Sequence, residues 1–420
     1  MLKLIRENPD KVRENIVRKH EKANIEPLLK LDESRRAIIQ EVEKLKAARN
    51  IATQEIAVLK KNKENADAKI AEMKQVSDKI KELDDKLRTI ELELDDMVLG
   101  VPNMLHSSVP TGKDERDNPT IRTWGKIKDD RDYTSHIEIC KELGLIDFER
   151  GAKISGTGFP FFTGKGAKLE RALINFMVDF QSEINGYREM MPPHMVNEES
   201  MKGTGQLPKM AEDMYTMQID NMYMIPTAEV PLTNFYSQNT LNGDDLPIKI
   251  CAYTPCFRRE AGSYGKDTRG LLRLHQFNKV ECVKFANPDT SYDELESLVG
   301  DVEKVLQTLE IPYRVILLCS GDTSFSSAKT YDLEVWSPAE KKWLEVSSCS
   351  NFEDFQARRA GIRFKRTPSS KPEFVHTLNG SGLATPRLMV AIMENYYDAE
   401  TKTLRIPNAL QPYFKSTEIK

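Results

Sequence analysis

Between Asn24 and Leu99 the chain has one proline, Pro27, no glycine and no aromatic residue. Apolar residues in this stretch follow two heptad runs. Leu31, Ile38, Leu45, Ala52 and Leu59 recur every seven residues, Val42 and Ile56 fill alternate positions, and Arg35 and Arg49 interrupt the seam. The second run, Met73, Val76, Ile80, Leu83, Leu87, Ile90, Leu94 and Met97, alternates steps of three and four. Such spacing makes a coiled-coil seam. The polar segment KKNKEN at 60–65 separates the runs, which predicts an antiparallel helical hairpin over about 28–99. At the α-helical rise, helices of roughly 30 residues reach roughly 45 Å. The expected shape is a rod.

Two readings of the rod stay open. Between residues 44 and 63, Lys44, Lys46, Arg49, Lys60, Lys61 and Lys63 stand against one acid, Glu55. Basic residues gathered at the far end of a projecting rod suit a nucleic-acid phosphate backbone. A dimerisation coiled coil with solvated charge accounts for the periodicity equally well. The net charge of the chain is −4, so any nucleic-acid binding must come from a local patch.

Upstream of the rod, Asn8-Pro9-Asp10 marks a helix start, with Asn as the cap. Residues 100–120 carry proline and glycine and read as a linker. From about 121 onward, short alternating strands mix irregularly with helices near 131–143, 166–184, 290–309, 351–361 and 384–397. Without strict βαβ alternation this predicts a mainly antiparallel α+β domain, giving an N-terminal domain over 1–105 and a second over 106–420. The six cysteines, at 140, 251, 256, 282, 319 and 349, form no C-x-x-C pair, as expected of buried thiols in a reduced compartment. No signal-peptide core and no apolar run of about 18 residues occurs, so the expectation is a soluble cytoplasmic chain with no membrane segment.

The stretch most loaded with chemistry is 250–285, where two strand-like runs flank AGSYGKDTRG, a polar hairpin loop at 261–270. Alternation places Arg258 and Glu260 on one strand face, and Arg273, His275, Phe277, Lys279 and Glu281 on one face of the next. A face so charged is either a solvated salt-bridge ladder or a site. As a site it has arginines for phosphate, a phenylalanine to stack on a base, and carboxylates for an ammonium or hydroxyl.

F-R-x-E, a loop, then R-x-x-x-F-x-x-x-E resembles motif 2 of the class II aminoacyl-tRNA synthetases, and FRREAGSYGKDTRGLLRLHQFNKVE resembles the seryl-tRNA synthetases among them. GTGQLPKM at 203–210, MIPTAEVPL at 224–232, AKTYDLEVW at 328–336, WLEVSSCSNFEDFQARR at 343–359 and HTLNGSGLATPR at 376–387 follow in matching order. The resemblance spans essentially the whole chain. It implies an antiparallel-sheet catalytic domain preceded by a tRNA-binding coiled-coil hairpin, with motif 1 at about 166–195, including Pro192 and Pro193, motif 2 at about 250–285 and motif 3 at about 376–397.

Roles carry over residue by residue. For ATP the resemblance implies Arg258 at the α-phosphate, flanked by Arg259, Glu260 near the adenine, Arg273 on the triphosphate, Phe277 under the adenine, and Glu345, Val346, Ser347 and Ser348. Glu345 and Ser348 would hold Mg²⁺. For serine it implies Thr227, Ala228 and Glu229 on a strand, with Arg258, Glu281, Asn379 and Ser381. Arg258, Glu345 and Arg387 would carry catalysis. Thr385-Pro386 stands where many members have Val-Gly. Thr385 is expected to cap, and Pro386 to begin, a buried helix that presents Arg387.

The implied reaction ligates L-serine to serine tRNA through a seryl-adenylate, and leaves charging of selenocysteine tRNA open. Lys44, Lys46, Arg49, Lys60, Lys61 and Lys63 become the expected tRNA contacts. The implied assembly is a homodimer in which the arm of one subunit serves the site of the other. No H-E-x-x-H, no zinc-spaced His/Cys cluster and no Walker A motif occurs, so no zinc is expected. The alternative is a catalytically silent paralogue that binds tRNA.

Overall fold

The computed structural model describes residues 1–261 and 269–420. The greater part of the loop expected at 261–270 therefore lies outside the described residues. Two compact units divide the chain, Met1–Pro102 and Asn103–Lys420.

In the first unit, helix α1 spans Glu26–Lys61 and α2 spans Asp67–Leu99. The heptad residues meet: Val42, Ile80 and Leu83 are buried, with Ile38, Leu45 and Val76 packed against them. Arg35, which interrupts the seam, crosses to Glu91 at 2.8 Å. Lys46 reaches Asp84 at 3.4 Å, and Lys69 pairs with Glu55. Exposed ion pairs of this kind contribute about 0.2–1 kcal/mol each. Burying a Val, Leu or Ile contributes about 1.5–3 kcal/mol, so the apolar seam holds the hairpin and the ion pairs add little. A short helix starts at Pro9 as expected, although the Asn8 side chain makes no capping hydrogen bond.

The second unit is built on an eight-stranded sheet. In chain order its strands are β1 (Thr120–Trp124), β2 (Arg188–Glu189), β3 (Ile248–Phe257), β4 (Gln276–Ala286), β5 (Tyr313–Leu317), β6 (Lys329–Ser337), β7 (Lys342–Asn351) and β8 (His376–Ala384). They lie in the order β1-β5-β6-β7-β8-β4-β3-β2. All neighbouring pairs are antiparallel except β2 with β3, the α+β arrangement expected. Residues 100–120 are less of a linker than their composition suggests, because Asn103 is buried and its amide donates to the carbonyls of Ser326 and Phe352 at 2.9 and 2.8 Å.

Helices α3 (His136–Glu142), α4 (Gly164–Asp179), α5 (Glu229–Asn234), α6 (Ser291–Thr308) and α7 (Thr385–Tyr396) position the site. On α6, Leu295, Leu298, Val299, Val302, Val305 and Leu306 are buried, the stripe a 3.6-residue period makes. Together with α4 and α7 it buries the sheet face that carries Val280, Cys282, Cys349 and Leu383. Gly380 has to be glycine, since a Cβ there would meet Cys349 Sγ at 2.8 Å and Leu298 Cδ2 at 3.2 Å. With Gly380 turned to α6, its neighbours Asn379 and Ser381 turn to the opposite face. On that face Val283 and Phe285 join Ala228, Leu232, Ile250 and Phe364 in a second core. No helix of the described residues is long and apolar enough to cross a membrane.

Candidate active site

Beside the second core, the face opposite α6 holds a cavity of about 540 Å³. Phe277, Lys279 and Glu281, on alternate positions of β4, line it, and the next two positions of that face are Val283 and Phe285. One strand face thus runs from ring and charge to hydrocarbon, and the charged part lies in the cavity rather than in a solvated ladder.

One end of the cavity is acidic. Glu281 is 1% exposed, and its carboxylate meets Lys279 Nζ at 2.5 Å and accepts from the Thr227 hydroxyl at 3.2 Å. Its other oxygen, Oε1, is buried with no hydrogen-bond partner among the described residues. A buried carboxylate oxygen left unpaired is costly unless a ligand completes it. Glu229 accepts from Gln356 Nε2 at 2.6 Å. Burial pushes its carboxyl up to about 7, and the negative charge of Glu281 adds to the shift. Asn379 and Ser381 line the same cavity.

Arginines gather elsewhere on the wall. Arg258, just past β3, donates from Nε to the Pro226 carbonyl at 3.2 Å, and its guanidinium lies 5.2 Å from the Phe277 ring centroid. Arg273 pairs with Glu260 at 2.7 Å. Arg387, in the first turn of α7, donates to the Leu272 carbonyl at 3.1 Å and the Glu345 carbonyl at 3.0 Å, and stands 3.5 Å from the Glu345 carboxylate.

Two bulges aim the wall. Residues three apart on a regular strand point to opposite faces, yet Glu345 and Ser348 both line the cavity. The ladder shifts between Leu333 and Glu334, which pair with Ser347 and Glu345, so Val346 is the extra residue and the face is switched. A second shift, at Gly382 of β8, lets Ser381 and Ala384 share the cavity. Glu345 and Ser348 present carboxylate and hydroxyl oxygens on one face, a donor set that fits Mg²⁺.

Several expected placements change. Thr227 and Glu229 reach the cavity, but from a turn and the start of α5 rather than from a strand, because the Thr227 hydroxyl accepts from the Glu229 amide at 3.2 Å and closes a local turn. Ala228 points into the second core. Ser347, on the far side of the bulge, bonds the Ser381 carbonyl at 2.6 Å, and Arg259 is exposed, outside the lining residues. His275 precedes β4 and turns back to the Arg258 carbonyl at 3.0 Å, so it leaves the shared face. Thr385 is not the cap of α7, which is Ala384. Its hydroxyl lies 2.6 Å from Glu170 Oε1. Lys44, Lys60, Lys61 and Lys63 are exposed on the hairpin, Arg49 is half-buried and Lys46 is paired with Asp84.

Gln356, Lys209 and Asp213 had no role in the sequence reading. Lys209 and Asp213 line the cavity, and Asp213 accepts from the amides of Arg259 and Ala261 at 2.9 and 2.7 Å. The landmark GTGQLPKM at 203–210 contains Lys209 and is the signal for that residue. Gln356 sits in a helix of ordinary composition and had none. All six cysteines are buried and unpaired by disulfides.

A model described as the seryl-tRNA synthetase N-terminal domain matches residues 2–105, and one for the tRNA synthetase class II core domain (G, H, P, S and T) matches 215–396. The serine–tRNA ligase of Chloroherpeton thalassium is 57% identical over 98% of both chains. That of Geobacillus sp. is 54% identical over 100% of this chain and 99% of its own. Among solved structures, seryl-tRNA synthetase from Pyrococcus horikoshii complexed with ATP superposes with a TM-score of 0.94, at 37% identity, over 100% of this chain and 99% of that one. The cytoplasmic serine–tRNA ligase of Naegleria fowleri in complex with AMP gives 0.88 at 30% identity, over 100% and 98%. With near-complete coverage and both domain models matched, this chain belongs to the seryl-tRNA synthetase family.

Proposed function

We propose that the chain ligates L-serine to serine tRNA through a seryl-adenylate, using ATP with Mg²⁺. The observation that carries this reading is the polarity of one cavity, whose wall holds the unpaired carboxylate oxygen of Glu281 with Asn379 and Ser381, and also Phe277 with Arg258, Arg273 and Arg387. The first part suits an ammonium and a small hydroxyl side chain, the second a triphosphate and a base. Asn379 and Ser381 would be stranded by an amino acid lacking the hydroxyl, which supports discrimination.

In the first step a serine carboxylate oxygen bonds to the α-phosphorus while the bond to pyrophosphate breaks. In the second, the terminal adenosine hydroxyl of tRNA attacks the adenylate carbonyl and AMP leaves. Neither step needs an enzymic nucleophile. Arg258 stabilises charge at the α-phosphate, Arg273 and Arg387 hold the remaining phosphates, and Phe277 carries the adenine. Glu345 and Ser348 would hold Mg²⁺, which supplies neutralising charge at the phosphates when bound. The catalytic unit over 106–420 would act as a homodimer. Exposed apolar side chains around the Pro192-Pro193 turn, Ile184, Met191 and Met195, support an interface there. The silent-paralogue alternative finds no support, since Arg258, Glu281 and Arg387 all face the cavity.

Serine-dependent ATP–pyrophosphate exchange, with threonine, alanine and cysteine as controls, tests the reading. Exchange with serine alone is expected, and a folded protein showing exchange with no amino acid refutes it.

Two further results are expected. A serine ammonium beside Glu229 favours its ionised form, so binding below about pH 7 should release a proton. Serine affinity should then rise with pH up to about 7 and level off above, and Glu229→Gln should flatten the profile. Calorimetry in two buffers of different ionisation enthalpy reads the proton directly. On the arm, neutralising Lys60, Lys61 and Lys63 should weaken tRNA binding and lower its salt slope by about 2–3, leaving exchange intact. An unchanged slope would place the contact elsewhere.

A further inference from the structure

His136, the first residue of α3, is fully buried and has no part in the cavity wall. Its Nε2 accepts from the Leu271 amide at 3.3 Å. That bond leaves the ring proton on Nδ1, which donates to Glu394 Oε1 at 3.0 Å. The backbone amide of His136 donates to the same oxygen at 3.1 Å. The other oxygen of Glu394 accepts from the Ser337 hydroxyl at 2.5 Å and the Ala339 amide at 3.3 Å. Glu340 lies close to this pair, but both ring nitrogens and both carboxylate oxygens are already engaged, which argues against a metal site. Gly270, at φ +60°, lets the backbone lie against the ring, since a Cβ there would fall 2.1 Å from Nε2.

What this pair holds is the segment that re-enters the cavity wall. Leu271, Leu272 and Arg273 all line the cavity. The carbonyl of Leu272 receives Arg387 Nε, and Arg273 pairs with Glu260. Glu394 belongs to α7, the helix that also presents Arg387. One hydrogen bond at Leu271 therefore fixes, relative to α7, both the carbonyl that orients Arg387 and the backbone that carries Arg273.

We propose that His136, braced by Glu394, is a positioning residue for ATP: it sets the two phosphate-side arginines without touching substrate. The proposal rests on the assignment of that side of the cavity to ATP.

The test compares His136→Phe and His136→Gln by direct titration with ATP and, separately, with serine. His136→Phe keeps a ring but strands the Leu271 amide, and ATP affinity should fall about tenfold while serine affinity stays within about twofold. His136→Gln returns an acceptor and should recover most of the loss. Unchanged ATP affinity in a His136→Phe protein that melts like the parent overturns the proposal, and so does an equal loss for both ligands. Should His136→Phe not fold, hydrogen exchange at the Leu271 amide of the unmodified protein decides: protection is expected, and exchange at the rate of an open loop overturns it. A parent protein that binds ATP but catalyses no serine-dependent exchange would refute the proposed function and leave this test readable.

Discussion

Arg258→Ala is expected to slow serine-dependent pyrophosphate exchange by at least about a hundredfold, by analogy with the loss of other preorganised electrostatic donors. Among the described residues, Arg273 and Arg387 each pair with a carboxylate, and Arg258 forms no such ion pair. Its guanidinium is held at the end of β3 by the Pro226 carbonyl, rests over Phe277 and brings positive charge to the cavity wall. Alanine would remove that charge from beside the α-phosphate oxygens, where the proposed first step builds negative charge. The fold should survive, because Arg258 contributes no core packing and its backbone amide still bonds the His275 carbonyl at 2.9 Å. Rate at saturating substrates, with a melting curve alongside, is the measurement, and a near-parental rate would sink the assignment of Arg258.

The second large effect separates ligand binding from stability. Glu281→Gln should raise the serine KM about a hundredfold, since the proposed charge-assisted contact to the ammonium would be lost. It should also destabilise the protein by about 3–5 kcal/mol, the usual penalty for breaking a buried ion pair on one side. The stranded group is Lys279, whose side chain is 7% exposed. The double variant Lys279→Met/Glu281→Gln removes both charges and should recover most of the melting temperature while the serine KM stays high. If the double variant bound serine normally, Glu281 would be only the partner of Lys279, and the serine site would have to be sought elsewhere in the cavity.

The two halves of the chain were not equally legible. In the arm, local physics is nearly the whole story: a helix without breakers and with a seam every seven residues can bury that seam only against a second such helix. Val42 meeting Ile80 and Leu83 follows from the pattern itself. Arg35 looked like a fault because the cross-helix position of Glu91 depends on register, and register appears only once both helices are packed.

In the second unit, alternation located the charged face of β4 and placed Phe277, Lys279 and Glu281 together, because a period of two is a property of any strand. It failed where the strand ends. His275 lies before the ladder begins, and there a hydrogen bond to the Arg258 carbonyl, not the pleat, chooses where the side chain points. The motifs quoted for the family brought Glu345 with Ser348 and Asn379 with Ser381, but no spacing rule explains the first pair. A bulge at Val346 does, and a bulge is set by how two strands register against each other.

Sequence alone thus determined the helical rod, the antiparallel α+β class and the charged face of β4, since these rest on periodicity and on residue chemistry within a few positions. The remaining predicted cavity residues were legible only through the resemblance to the seryl-tRNA synthetases. The tertiary structure decided which of the charges are neutralised by a neighbour, which carboxylates lose water, and that His136 holds Leu271 from 135 positions away. Desolvation and hydrogen-bond geometry depend on distances between segments that the order of residues does not contain.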